Sequence, residues 1–361
     1  MIFAHGDFER IMTAEAGLCR PDRVFVLVDT TTRRLCLPKV AGMVPFMGAR
    51  VIEIGAGDGH KTLDSLSHVW TELQRGGATR HSLLVCLGGG MVTDLGGFAA
   101  STFKRGLSLI NVPTTLLAMV DASVGGKTGI NFGGLKNEIG AFRNAEAVVL
   151  DGTFLETLDP ENLLSGYAEM LKHGLISNAG MLGELLAPQS PVTLLASPRQ
   201  GDDGMLRECR EQLMQMVEKS VAVKQRVVTE DPLERGLRKA LNLGHTVGHA
   251  FESLALERHP VLHGYAVAWG LVCELYLSCI KTGFPTSVMR QVVSFITANY
   301  GRMDISCDDY DELLRLMTHD KKNVAGEINF SLLSDVGQLR LNQTATRDEI
   351  ISALDFYRDG Q

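Results

Sequence analysis

The sequence predicts a parallel α/β unit over residues 1–158, followed by a mostly α-helical unit with a short β-hairpin over residues 159–361. Three observations carry this reading. Short β-branched runs at 24–28, 51–54, 83–87, 109–112 and 147–150 are each bounded by Gly, Asp, Asn or Pro, the pattern of buried strands. Between the second and third runs, Leu63, Leu66, Val69 or Trp70, and Leu73 recur at helical spacing, and strands alternating with helices favour a parallel sheet. From Asp159 onward the texture changes to long helical patterns at 163–176, 205–228, 241–254, 264–281 and 285–300. A length of 361 residues suits about two domains at roughly 100–200 residues each.

The remaining elements follow in order. Residues 187–204, rich in Pro, Ser, Asp and Gly, read as a long surface loop. Residues 328–333 and 338–341 flank Ser334-Asp335-Val336-Gly337, the signature of a hairpin. Thr346 followed by Glu349 opens a last helix with a capping box.

Composition excludes several classes of function. With 35 Lys+Arg against 42 Asp+Glu the net charge is −7, which speaks against nucleic acid or an anionic membrane as the partner. The seven cysteines are scattered and contain no C-x-x-C pair, so neither a disulfide framework nor a thiolate zinc site fits. The opening MIFAHGDFERIM lacks the features of a secretory leader. The most apolar stretches, 107–119 and 266–280, are broken by Asn111, Pro113 and Glu274, short of the ~20 apolar residues of a membrane span. A cytoplasmic protein is expected.

Glycine and histidine mark the candidate chemistry. Gly88-Gly89-Gly90 follows an apolar run and precedes Asp94, Gly96 and Gly97. A glycine turn between strand and helix lets backbone N–H groups approach a phosphate, but the spacing is not G-x-G-x-x-G. A nucleotide site and a plain tight turn both stay open. Asp121-Ala-Ser-Val-Gly-Gly-Lys127-Thr128 ends like a Walker A motif, yet Asp121 stands where that motif demands glycine, so a P-loop is rejected. Lys127 among glycines, with Lys136 and Asn137 close behind, reads as an anion grip within a glycine loop.

His245 and His249 share one helix face at i and i+4, and His263 follows fourteen residues later. That spacing suits a metal site to which Glu169 could add a carboxylate. Thr246 stands where a metalloprotease carries its glutamate base. Lys172, Lys224, Arg238, Asn242 and the pair Lys321-Lys322 crowd the same half of the chain and point to an anionic ligand.

Taken together, GGGMVTDLGGF (88–98), FKRG (103–106), NVPTTLLAMVDASVGGKTGIN (111–131), KNEIGAF (136–142), SGYAEMLKHGL (165–175), LRKALNLGHTVGHAFE (237–252), LHGYAVAWG (262–270) and DKKNVAGEINF (320–330) resemble the 3-dehydroquinate synthase family in order and content. The resemblance implies a Rossmann-like NAD-binding domain followed by a helical metal- and substrate-binding domain. It implies conversion of 3-deoxy-D-arabino-heptulosonate 7-phosphate to 3-dehydroquinate and phosphate, with catalytic NAD and divalent zinc or cobalt, in a free-standing cytoplasmic homodimer. Glu169, His245 and His263 then correspond to metal ligands, and His249 moves from ligand to phosphate-facing group. Lys127, Asn137, one of Lys321 or Lys322, and Arg105 of a neighbouring subunit correspond to phosphate groups. Lys172, Lys224, Arg238 and Asn242 correspond to groups holding the substrate carboxylate and hydroxyls. Asp58, Lys61, Gly89, Gly90, Asp94, Thr114, Thr115, Asp121, Lys127 and Lys136 correspond to cofactor positions.

Two departures stand out: Asp58 replaces a customary Glu, and Tyr265 places a neutral phenol where the family usually has Glu, next to His263. Competing readings are a sugar phosphate cyclase acting on a substrate without a carboxylate, a metal-dependent polyol or glycerol-phosphate dehydrogenase, and a nucleotide-binding protein without catalysis. Lys224, Arg238 and Asn242 favour a carboxylated substrate, because cations left unpaired in a pocket are costly.

Overall fold

The structure is a computed structural model that describes residues 1–133, 135–188, 190–196, 203–256, 258–318 and 328–360. The chain divides into two compact units, Met1–Leu158 and Asp159–Gln361.

The first unit is built on strands β1 (Ile2–Phe3), β2 (Val24–Asp29), β3 (Arg50–Ile54), β4 (Leu83–Gly88), β5 (Ser108–Pro113), β6 (Lys127–Phe132), β7 (Leu135–Phe142) and β8 (Ala147–Leu150). Six of them form one sheet in the order β1-β8-β5-β4-β2-β3. Every pairing in it is parallel, as in Val26↔Val85 and Leu84↔Leu109. Strands buried on both faces become continuous apolar runs, which is why VFVLV and LLVCL are legible as strands. The helices Leu63–Arg75 and Gly90–Thr102 pack Leu66, Val69, Leu73, Val92 and Leu95 onto Leu27, Leu84 and Leu109. From β2 the chain goes to β3 on one side and returns to β4 on the other. The order reverses between β2 and β4, and ligands of open α/β sheets bind beyond the strand ends at such a point.

The helices Phe8–Cys19 and Thr30–Leu35 escape the sequence reading, as do a strand and a hairpin. β1 is two residues long, too short to carry a period. The glycine loop around Lys127 is a hairpin, β6 antiparallel to β7 with Gly129 opposite Gly140. A Cβ on Gly140 would lie 2.0 Å from the Thr128 carbonyl oxygen, so these glycines let two backbones approach rather than make a loop.

The second unit is helical: Pro160–Ser177, Asp203–Glu230, His245–Leu256, His263–Thr282, Thr286–Tyr300, Tyr310–Thr318 and Arg347–Asp359 are its main helices. β9 (Asn329–Asp335) and β10 (Gln338–Thr344) form the expected hairpin. Thr346 caps the last helix in a full capping box with Glu349. Within the expected surface loop, Pro191–Ala196 is a short helix. Helix was expected to run unbroken over 241–254. Instead a 3-10 turn at Leu237–Asn242 ends before Gly244, whose φ of 79° restarts the chain at His245.

Candidate active site

In the second unit the starts of two helices meet the middle of a third. Asp159 caps Pro160–Ser177 by accepting from the Asn162 N–H, and proline takes the first helical position. Glu169 and Lys172 lie in the middle of that helix and are almost wholly buried. His245 and His263 begin their respective helices. The Nε2 atoms of His245 and His263 stand 3.3 Å and 3.6 Å from Oε1 of Glu169, and Lys172 is ion-paired with Oε2. His249 completes a triangle of rings, with ring nitrogens of all three histidines within 4.8 Å of one another.

The two histidine rings are held so that Nε2 points inward. Nδ1 of His245 lies 3.1 Å from the Leu243 carbonyl oxygen, and Nδ1 of His263 lies 3.2 Å from Oε2 of Glu252. Acceptors at Nδ1 keep a proton on that nitrogen, so that Nε2 is the atom that would offer its lone pair to a metal, the usual arrangement behind metal-bound histidine. Glu252 was missed by sequence reading, although it follows His245 by seven residues and His249 by three, on one helix face. The carboxylate that meets His263 therefore comes from Glu252, not from position 265. Tyr265 instead turns into an aromatic cluster, with its ring centroid 5.2 Å from Tyr300 and 6.1 Å from Trp269.

Two nitrogens and one oxygen suit zinc. Ligand bonds of about 2.0–2.1 Å in a tetrahedron put neighbouring donor atoms about 3.3 Å apart, close to the 3.3 Å and 3.6 Å found here. Charge favours a cation as well. Burial would raise the Glu169 carboxyl, but Lys172 and then His245 reverse this and hold it well below the usual carboxylate range. Burial, then the charge of Lys172, pushes His245 down to about 3. Burial opposes protonation of His263, yet Glu252 and Glu169 raise it to about 10.

Further cations line the same unit. Lys224 is buried on Asp203–Glu230, one turn beyond Ser220, whose hydroxyl lies 2.7 Å from Nδ1 of His173 on the Glu169 helix. Arg238 is buried and donates to the Pro232 carbonyl at 2.7 Å. Its turn is fastened by Asp231, which accepts from the Arg235, Gly236 and Arg238 N–H groups. Asn242 donates to Oε1 of Glu234 at 3.0 Å, a partner that sequence reading also missed. Lys321 and Lys322 lie outside the described residues.

In the first unit, the turn after β4 places Gly89 as the cap of Gly90–Thr102. Gly89 approaches Thr115 so closely that a Cβ would meet its methyl at 3.0 Å, while Thr114 donates its N–H to the Gly88 carbonyl at 3.0 Å. A cavity of about 440 Å³ opens at the ends of β2 and β3, lined by Thr30, Glu53, Gly55, Asp64, Ser65 and His68. Lys61, buried, donates to Asp94 at 2.5 Å and also to Asn137. Lys136 pairs with Asp58 at 3.2 Å. Asp58, Lys61, Asp94, Lys136 and Asn137 thus form one polar group, linked by Asn131, which donates to Asp58 and accepts from the Asn137 N–H. Asp121 sits in a π-turn at Ala118–Ala122. Lys127 opens β6, and Arg105 is exposed with φ 67°.

Comparison with known proteins decides the family. Residues 51–165 match the family described as 3-dehydroquinate synthase N-terminal, and residues 166–323 match 3-dehydroquinate synthase C-terminal. The chain belongs to the 3-dehydroquinate synthase family. It is 52% identical to a 3-dehydroquinate synthase of Parabacteroides distasonis over 94% of this chain and 92% of that one. It is 39% identical to one of Pyrococcus furiosus, covering 90% and 89%. Among solved structures, a 2-epi-5-epi-valiolone synthase from Streptomyces hygroscopicus with NAD+ and Zn2+ bound superposes with a TM-score of 0.79 at 25% identity, over 93% of this chain and 91% of that one. Both halves of the family are therefore present, and the helical half supplies the Glu–His–His donors described above.

Proposed function

We propose that this protein is a phosphorus–oxygen lyase that converts 3-deoxy-D-arabino-heptulosonate 7-phosphate to 3-dehydroquinate and phosphate. The observation that carries the reading is the convergence of Glu169, His245 and His263 in a unit that also buries Lys172, Lys224 and Arg238. Glu169, His245 and His263 would hold zinc or cobalt, and the glycine turn with Thr114 and Thr115 would hold NAD. Bound there, NAD would supply reversible hydride transfer at the substrate C5 carbon, and the metal would supply Lewis-acid polarisation of the C5 oxygen.

The chain's own residues bind and orient. Lys224, Arg238 and Asn242 hold the substrate carboxylate and hydroxyls, which keeps an opened, flexible intermediate positioned for ring closure. Lys172 holds Glu169 ionised as well as facing the ligand. His249, Lys127 and Asn137 serve the phosphate, with Lys321 or Lys322 and a neighbouring subunit's Arg105. The departing phosphate carries its own basic oxygens, so removal of the adjacent C6 proton needs no protein carboxylate. Asp58, Lys61, Asp94, Asp121 and Lys136 serve the cofactor. The first unit is the cofactor domain and the second the metal and substrate domain of a cytoplasmic homodimer. Phe132 and Leu135, exposed and paired across the β6–β7 hairpin beside its turn, support self-association there. Among the described residues no helix is long and apolar enough to cross a membrane.

The test is phosphate release by zinc-loaded protein with sub-stoichiometric NAD, with absorbance at 340 nm followed in parallel. Many phosphates per NAD without accumulating NADH is the expected result. Steady growth of NADH would establish a dehydrogenase instead, and no phosphate release would exclude this substrate.

A further inference from the structure

The helix that carries His245 and His249 has no side chain of its own at the cap position. Its first residue is His245, so Gly244 occupies the cap position, and its carbonyl accepts the first helical N–H, from Gly248, at 3.1 Å. A side chain cannot stand there. A Cβ on Gly244 would meet Leu271 at 2.8 Å, and one on Gly270 would lie 2.0 Å from the Gly244 carbonyl oxygen. The two histidine helices touch backbone to backbone at this crossing.

The missing cap comes from the partner helix. Glu274, wholly buried on His263–Thr282, accepts from the Gly244 N–H through Oε2 at 2.6 Å and from the Val247 N–H through Oε1 at 3.1 Å. One carboxylate thus serves both the cap N–H and the N–H three residues on, the two donors that a capping box divides between two side chains. Its charge also faces the positive end of the helix dipole. We propose that Glu274 is a positioning residue for the metal site: by clamping the start of one histidine helix to the body of the other, it sets the separation of His245 from His263. In sequence it reads only as a charge interrupting an apolar run.

The proposal rests on the metal reading above. Its test is Co2+ affinity of the full-length protein by chelator competition, together with the visible spectrum of the bound cobalt and thermal midpoints. Glu274→Gln keeps one acceptor but turns an NH2 toward the second N–H. It should weaken Co2+ binding about tenfold and shift the cobalt bands, and Glu274→Leu should weaken binding up to about a hundredfold, the range for residues that orient metal ligands. Leu277→Ala, buried on the same helix one turn beyond Glu274, supplies the structural control: it should lower the midpoint while affinity and spectrum stay as in the wild type. Folded Glu274→Gln with wild-type affinity and spectrum overturns the proposal, as does Leu277→Ala weakening Co2+ equally. Failure of the wild-type protein to bind Co2+ would overturn the metal reading itself.

Discussion

Gly264→Ala adds one methyl group where the helix of His263 meets the helix of Glu169. The new Cβ would lie 1.9 Å from the Ser165 carbonyl oxygen and 2.5 Å from its carbon. Both are backbone atoms in the interior of Pro160–Ser177, so no side-chain rotation relieves the overlap. Ordinary contact begins near 3.4 Å, and the helices must part by about 1.5 Å. His263 is the adjacent residue, so its 3.6 Å approach to Glu169 opens past the donor spacing of about 3.3 Å that zinc needs. Forced overpacking costs about 1–3 kcal/mol. For a domain of about 200 residues, 1 kcal/mol moves the midpoint by about 2–4 °C, which sets the expected fall at about 2–12 °C. Metal affinity should fall at least about tenfold, and turnover about a hundredfold for a displacement of ~1 Å. Calorimetry, chelator competition and phosphate release measure the three. A variant with wild-type midpoint, affinity and rate would refute the claim that this contact sets the site.

Ser165→Ala removes the hydroxyl that accepts the Gly264 N–H at 3.1 Å. It should cost about 1 kcal/mol by thermal unfolding, and an unchanged or raised midpoint would contradict that role. In EDTA-treated protein His263 is raised to about 10 against an ordinary 6.5. Its contribution to stability is thus full below pH 6.5 and lost as pH climbs toward 10, so the midpoint should fall across that window, and Glu252→Gln should flatten the fall. The same linkage makes metal binding release about one proton near pH 8, and calorimetry in buffers of different ionisation heat would expose its absence. Lys61→Met strips the buried partner from Asp94, 2.5 Å away. About 3 kcal/mol of destabilisation and weaker NAD binding by fluorescence titration are expected, and retention of both wild-type values would remove Lys61 from the site.

Much of this was legible in the sequence because it is local. Parallel strands buried on both faces spell apolar runs, and a capping box such as Thr346 with Glu349 spans four residues. His245 and His249 lie on one face by period alone. What escaped depends on partners far along the chain. Glu252 and Glu274 look like ordinary helical carboxylates until His263 and the Gly244 N–H are placed against them. The hairpin at Lys127 was hidden because glycines that permit backbone contact, as Gly129 and Gly140 do, have the same composition as glycines that permit flexibility. The break before His245 was missed for a related reason: the apolar period runs through Leu243 and Gly244, where the extended ψ of Leu243 and the positive φ of Gly244 interrupt the helix.

The crossing of the two histidine helices carries a consequence for how this sequence can change over time. In a core of Leu and Val, a residue that grows can be offset by a neighbour that shrinks, and drift proceeds by such exchanges. Gly248 and Gly270 face backbone atoms at separations that would leave an added Cβ only 2.9 Å and 2.0 Å of room at the closest contacts, and no residue is smaller than glycine. No compensating exchange exists at that crossing. A scan that truncates side chains to alanine, and so regards alanine as the mildest replacement, would meet its severest effects there, where alanine is an addition.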